Sequence, residues 1–200
     1  MTAQNWAIPA MTAAGDGSVD KAQRFRAAAL PYLDDVYTLA RYLLRNAADA
    51  EDAAQECYLR AFRHFETFRG GPIKPWLLAI LRNVCRAEYA RRGTLLPLAS
   101  EGLDAAEQCA EGLWNEGEAS PEAAALRQLD GETVQRLIAQ LPDPFREALV
   151  LREINELSYR EIADVIGAPV GTVMSRLARA RALLRAAWLA EEKETTHDAR

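Results

Sequence analysis

The sequence predicts an all-α protein of two small helical domains joined by an acidic linker, the C-terminal domain containing a helix-turn-helix. Apolar residues recur at helical spacing, strand patterns are almost absent, and acidic residues interspersed with glycines separate two helical stretches. The 200 residues, 50% of them apolar, can bury one medium core or two small ones. The predicted organisation is a disordered N-terminal extension (1–20), a first domain (21–95), a linker (96–128), a helix-turn-helix domain (129–190) and a solvated tail (191–200).

The composition argues against a membrane, secreted or metal-dependent protein. No apolar run is long enough to span a bilayer and no signal sequence is present, so we expect a cytoplasmic protein without membrane insertion. Cys57, Cys85 and Cys109 are odd in number and widely spaced, which favours free thiols over disulfides. With only 2 histidines there is no zinc-ligand cluster, and we expect no metal and no cofactor. Met11 is an alternative to Met1 as the true start.

Three helical segments are predicted in the first domain. Apolar residues recur at helical spacing from Tyr32 to Leu43, after a proline. A second helix is predicted from Asp49 through Phe65, with acids in its first turns and bases in its last. The glycine-containing loop 69–74 then leads into a third helix at Pro75, because proline pre-sets the first helical turn.

The linker accounts for the net charge of −5. Between Gly93 and Glu132 the acids are opposed only by Arg127, and glycines in the same stretch disfavour regular helix. The excess of acidic over basic residues therefore lies in the linker that separates the two domains.

The C-terminal domain is predicted to be a compact set of four helices ending near Leu189. Ser120-Pro121 is a start signal for a helix toward Gln140, and Asp143-Pro144 repeats that signal for the next helix. Three apolar residues of this next helix can face inward: Phe145, Leu149 and Ile154.

A helix-turn-helix is the most informative pattern in the chain. Ser158 and Glu161 have the spacing of a capping box, in which each side chain accepts from the other residue's backbone N–H. Gly167 tolerates the left-handed geometry that ends a helix, and Pro169 cannot continue it. The second helix therefore restarts at 170–171, after a turn of only a few residues.

The second helix of this motif separates an apolar stripe from a narrow face of small residues. The predicted buried stripe is Val173, Leu177, Ala180 and Leu184. From Val170 to Trp188 the only charged residues are arginines, namely Arg176, Arg179, Arg181 and Arg185. An acid-free basic helix suits contact with phosphates, whereas the simpler alternative is a solvated basic face on a core helix.

The sequence Leu-Ser-Tyr-Arg-Glu-Ile-Ala, followed by Pro-Val-Gly-Thr-Val-Met-Ser-Arg-Leu-Ala-Arg-Ala-Arg, resembles the promoter −35-binding domain of extracytoplasmic-function sigma factors. The resemblance covers roughly Lys21 to Arg92 and Leu129 to Leu189. It implies these −35 contacts: Gly171, Thr172, Met174, Ser175, Arg176, Ala178 and Arg179. Family members often have Lys or Arg where this chain has Met174, so its −35 preference should be shifted.

The acidic start of the predicted second helix is similar to the family segment that grips the clamp coiled coil of the RNA polymerase largest subunit. The resemblance implies these polymerase contacts: Asp49, Asp52, Gln55 and Glu56. The alternative is ordinary helix stabilisation, because acids at a helix start complement the helix dipole.

The loop and helix around Pro75 resemble the family's −10 module, which captures an unstacked base of the non-template strand. The implied −10 contacts are Lys74, Trp76, Arg82, Asn83 and Arg86. A tryptophan beside Leu77 and Ile80 is also typical of a helical core. Ala87 replaces an aspartate that the family often carries, which bears on promoter preference.

Together these patterns predict a sigma factor that performs no chemistry itself, binds core RNA polymerase and directs it to −10 and −35 promoter elements. The alternative is a free-standing helix-turn-helix transcriptional regulator, which would need neither a polymerase contact nor a strand-melting module. A nucleic-acid enzyme is the third option, but the sequence has no evident catalytic constellation. We also expect an anti-sigma partner that wedges between the two domains or wraps them.

Overall fold

The computed structural model describes residues 16–91 and 131–198, and these residues form helices and connecting turns without a strand. The α-helices are α1 (Asp16–Ala29), α2 (Leu33–Leu44), α3 (Ala47–His64), α4 (Ile73–Arg91), α5 (Gly131–Gln140), α6 (Asp143–Leu149), α7 (Tyr159–Ile166) and α8 (Val170–Asp198). Short 3₁₀ turns, Leu30–Tyr32 and Phe65–Thr67, follow α1 and α3, and a π-helix, Val150–Ile154, continues α6. The predicted all-α fold class is confirmed.

Helices α2, α3 and α4 pack against one another in the N-terminal part of the chain. The Asn46 side chain accepts a hydrogen bond from the backbone N–H of Asp49 at 3.2 Å, which caps the start of α3. The buried face of α3 consists largely of small residues, which let the neighbouring helices approach closely. Phe25 of α1 packs edge-on against Phe62 and Phe65, with 5.3 Å between ring centroids in each pair.

Helices α5 to α8 form the C-terminal part, in which α8 contacts each of the other three. The fully buried Arg146 connects α5 to α6, because its guanidinium donates to the carbonyl oxygens of Ala139 and Leu141, at 3.2 and 2.6 Å, and pairs with Asp143. The guanidinium thus satisfies main-chain acceptors at the end of α5 that would otherwise be left without partners. Burial lowers the pKa of Arg146 from its ordinary value.

The two parts pack directly on each other, with α4 against α7 and α2 against α6, so the buried side chains of both belong to one continuous core. A buried ion pair joins Arg82 of α4 to Glu147 of α6. The sequence, read as two small domains on a free linker, does not predict this packing.

Several predicted boundaries need correction. Helix α1 begins at Asp16, so residues 16–20 are helical and not disordered. Helix α8 continues to Asp198, so residues 191–198 extend this helix and are not a separate tail. Helix α3 starts at Ala47, where an asparagine cap places it, and not at Asp49. The linker 96–128, with Cys109 and the predicted helix start at Ser120, lies outside the described residues.

Candidate nucleic-acid and polymerase interfaces

The helix-turn-helix is formed by α7 and α8 and has the predicted local geometry. The backbone N–H of Ser158 donates to the Glu161 carboxylate at 2.8 Å, and the N–H of Glu161 donates to the Ser158 hydroxyl oxygen at 3.3 Å. Gly167 ends α7 with a φ of 65°, a left-handed conformation that favours glycine. The next helix restarts at Val170, three residues later. The predicted capping box, glycine stop and short turn are all confirmed.

The predicted division of α8 into two faces is also present in the structure. The stripe Val173, Leu177, Ala180 and Leu184 is buried against the core. On the other side, Gly171 is exposed, and the residues Thr172, Met174, Ser175, Ala178 and Arg179 are half-buried. The Ser175 hydroxyl donates to the carbonyl oxygen of Thr172 at 3.0 Å, and this hydrogen bond holds the Ser175 side chain against the first turn of α8. Small side chains here leave room for close approach of a base edge.

The four arginines of α8 have different surroundings. Arg181 pairs with Glu153 of the π-helix at 2.8 Å, so this cation is neutralised from a neighbouring element although its own helix carries no nearby acid. Arg176 is half-buried beside Glu147 and Arg82, its Nε has no hydrogen-bond partner, and desolvation lowers its pKa. Arg179 is half-buried on the same side of the helix as Ser175. Of these three arginines, Arg179 is therefore the best placed for DNA in this arrangement.

Some of the predicted −10 residues form ion pairs within the protein, and others are accessible at its surface. Lys74 pairs with Asp35 at 2.8 Å, and Arg82 is buried in its ion pair with Glu147 at 2.6 Å. Trp76 is half-buried and lies against Phe68, with 4.7 Å between ring centroids. Asn83 is exposed and Arg86 is half-buried. The structure therefore brings Asn83 and Arg86 to the surface of α4, while the other two cations are occupied within the protein.

The predicted polymerase-binding residues lie along one side of the first half of α3. Asp52 and Gln55 are exposed, Asp49 is half-buried, and Glu56 pairs with Arg60 one turn later at 2.6 Å. Leu59 continues this side and is 49% exposed. The sequence carries a signal for Leu59, because it lies at helical spacing from Gln55 and Glu56 on an otherwise polar face.

The sequence comparisons identify the family. Residues 29–94 match Sigma-70 region 2, and residues 131–184 match Sigma-70, region 4. The RNA polymerase sigma-H factor of Pseudomonas aeruginosa is 37% identical over 159 residues, which cover 76% of this chain and 79% of that protein. The ECF RNA polymerase sigma factor SigW of Bacillus subtilis is 34% identical, covering 77% of this chain and 83% of that protein.

Two solved structures are also similar to this chain. The sigma factor RpoE of Bartonella quintana, solved in complex with the anti-sigma factor NepR, is 26% identical with a TM-score of 0.61, covering 82% of this chain and 96% of that one. CnrH in complex with the cytosolic domain of CnrY has a TM-score of 0.52 at 23% identity, and shows the shared fold; the match covers 86% of this chain and 95% of that one.

The chain belongs to the sigma-70 family of RNA polymerase sigma factors. Within that family it falls in the extracytoplasmic-function group. It is thus a factor that binds core RNA polymerase and directs it to promoters, and sigma factors are transcription initiation factors rather than enzymes. The alternative of a free-standing regulator is not favoured, because region 2 accompanies the helix-turn-helix. Within the described residues, none of the helices combines the length and apolarity that crossing a membrane requires.

Proposed function

We propose that the outer face at the start of α8 recognises the −35 element, with Arg179 and Ser175 as its principal polar contacts. The observation that carries this proposal is the clean division of α8 into a buried stripe and a side of small and basic residues. Gly171, Thr172 and Ala178 would allow the backbone to approach the major groove, and Met174 would make apolar contact with a thymine methyl. Arg176 would contact phosphate when it is not held beside Glu147.

For the −10 element, we propose that α4 and the loop before it capture the single strand. Asn83 and Arg86 are accessible on α4, and Trp76 supports the loop through its contact with Phe68. Lys74 and Arg82 would hold the DNA backbone once their protein partners are released. The predicted domain limits, 21–95 and 129–190, enclose the matched ranges 29–94 and 131–184, and helices α1 and α8 extend beyond them to Asp16 and Asp198.

The polymerase contact is assigned to one side of α3, formed by Asp49, Asp52, Gln55, Glu56 and Leu59. Exposed acids beside an exposed leucine suit a partner surface that carries both cations and apolar side chains. Charge complementarity would steer association, and Leu59 would supply apolar burial at the interface.

Charge reversal tests the polymerase contact. Asp52→Arg combined with Glu56→Arg should abolish co-purification with core RNA polymerase and leave helical content by circular dichroism unchanged, because the reversed charges would meet a basic surface. The control is Asp20→Arg combined with Glu66→Arg, which changes the net charge equally on residues near α1 and also removes exposed ion pairs. Undiminished polymerase binding by the Asp52 and Glu56 variant would contradict the assignment.

We also propose an anti-sigma partner, and the solved complex of RpoE with the anti-sigma factor NepR supports it. Because the described domains pack directly on each other, a partner that wraps them is favoured over one that wedges between them. Affinity purification from unstressed cells should recover such a protein, and repeated failure to do so would count against the proposal. We expect the protein to act in the cytoplasm, without a cofactor and without chemistry of its own.

A further inference from the structure

Specific polar interactions join the two domains in addition to the apolar core that they share. Arg82 Nε donates to Glu147 Oε1 at 2.6 Å across 65 residues of sequence, and the two side chains are only 8% and 11% exposed. A buried, charge-assisted hydrogen bond of this length is among the stronger polar interactions available to a protein. Neither partner is left with an uncompensated charge while the domains stay packed.

A second interaction joins the same two domains. The buried Asn155, at the end of the π-helix, donates from Nδ2 to the main-chain oxygen of Asp35 at 3.2 Å and to its carboxylate at 3.1 Å. The same Asp35 carboxylate pairs with Lys74 at 2.8 Å. At the rim, Arg45 pairs with Asp143 at 3.2 Å. Bonds from α2 and α4 therefore converge on α6 and the π-helix.

Three cations assigned to promoter DNA are close to these contacts. Glu147 neutralises Arg82, Asp35 neutralises Lys74, and Arg176 of the recognition helix lies half-buried near Glu147 with an unpartnered Nε. Of these two ion pairs, Arg82–Glu147 crosses between the domains, whereas Lys74 and Asp35 both belong to the first domain. Opening the domains would release Arg82 from its buried carboxylate and would leave Lys74 beside Asp35.

We propose that the pairs Arg82–Glu147, Asp35–Asn155 and Arg45–Asp143 form an autoinhibitory latch that holds the two DNA-binding domains closed. This inference rests on the proposed assignment of DNA-contacting residues. In the closed state Arg82 is withheld from DNA by its buried pair with Glu147, and the domains open before the promoter is engaged. The apparent dissociation constant for DNA is then the intrinsic one divided by the open fraction.

Removing one charge of the latch provides the first test. Glu147→Gln keeps the shape of the side chain but weakens its bond to Arg82. The ratio of open to closed protein should therefore rise by about 10- to 100-fold. The radius of gyration from small-angle X-ray scattering should increase, and a fluorescent forked DNA of random sequence should bind more tightly. Glu153→Gln is the matched control, because it removes the same charge from an ion pair with Arg181 inside one domain.

The two variants separate the latch from a general charge effect. Each raises the net charge by one, so each gains the same non-specific attraction for DNA. A larger radius and tighter binding for Glu147→Gln alone support the latch. Equal behaviour of the two variants overturns it.

Locking the domains closed provides the second test. Asp35→Cys and Asn155→Cys, introduced together in a Cys109→Ser background, place two thiols across the contact for a short, reducible bis-methanethiosulfonate cross-linker. The cross-linked protein should lose at least about tenfold in affinity for the same DNA, and reductant should restore it. Single-cysteine variants treated identically are the controls.

The outcomes of the locking experiment are distinguishable. Failure of the cross-link to form, or full DNA binding by the cross-linked protein, overturns the latch. If the reduced protein and Glu147→Gln both fail to bind forked DNA, and neither supports transcription with core polymerase, the assignment of the DNA-contacting residues is wrong. Cross-linking efficiency itself reports domain packing without reference to DNA.

Discussion

Replacing Met174 with arginine tests directly which side of α8 meets DNA. Met174 is half-buried beside Ser175 and one helical turn before Ala178, on the side away from the buried stripe. A new cation there would lie against the promoter backbone if this side enters the major groove. We therefore expect Met174→Arg to strengthen promoter binding at low salt and to make binding more sensitive to salt.

The expected change in the salt dependence of promoter binding follows from counterion release. One additional phosphate contact changes the slope of log K against log salt by about −0.9. Between 50 and 200 mM salt, the affinity advantage of the variant over the parent protein should therefore fall by about 3-fold. A change in the preferred −35 sequence should accompany it, because arginine can bond guanine edges whereas methionine cannot.

Leu189→Arg is the matched control for this prediction. Leu189 is on the same helix and 47% exposed, but it lies 15 residues farther along, or about 22 Å at 1.5 Å per residue. That distance is about two Debye lengths at 0.1 M salt, so the same charge should leave the slope nearly unchanged. The assay is a salt titration of promoter binding by holoenzyme assembled with purified core polymerase. Equal slopes for both variants would refute the assigned orientation of α8.

Three further predictions concern Arg179, the capping box and the buried thiols. Arg179→Ala should cost about 1–3 kcal/mol in promoter binding and relax one −35 position, whereas a uniform loss across sequences in the same titrations would indicate a phosphate contact instead. Ser158→Ala should lower the free energy of unfolding by about 1 kcal/mol in urea denaturation, because the N–H of Glu161 loses its cap; an unchanged midpoint would contradict this. Burial raises the pKa of both Cys57 and Cys85 to about 12, against an ordinary 9.0, so the thiolate fraction at pH 8 falls by about 1,000-fold. In the native protein iodoacetamide should therefore spare both residues, and rapid labelling detected by peptide mass spectrometry would argue against their burial.

The sequence predicts the helix-turn-helix well because its signals are local. The capping box, the glycine stop and the apolar stripe each depend on residues within one or two helical turns. The −35 face follows from the same periodicity. Helix ends are predicted less well, since α1 and α8 extend beyond the ranges that local composition suggests.

The domain contact could not be predicted from the sequence. Arg82 and Glu147 are 65 residues apart, and Asp35 and Asn155 are 120 apart, so no local pattern connects them. The same reason explains why Arg181 resembles a free phosphate contact in sequence, although Glu153 neutralises it in the structure. Arg82 resembles a surface cation for the same reason, since its buried partner Glu147 lies in the other half of the chain.

The π-helix at Val150–Ile154 has a consequence for how chain length can vary in this protein. A π-turn contains one residue more than the α-turn that it replaces, and here Asn155 follows it directly, with its N–H bonded to the carbonyl oxygen of Val150. Deleting one residue from this stretch would restore regular α-helix and rotate Asn155 by about 100° around the helix axis, away from Asp35. Deleting one uncharged residue here would therefore remove the Asn155–Asp35 bond and weaken the domain contact without changing any charged residue.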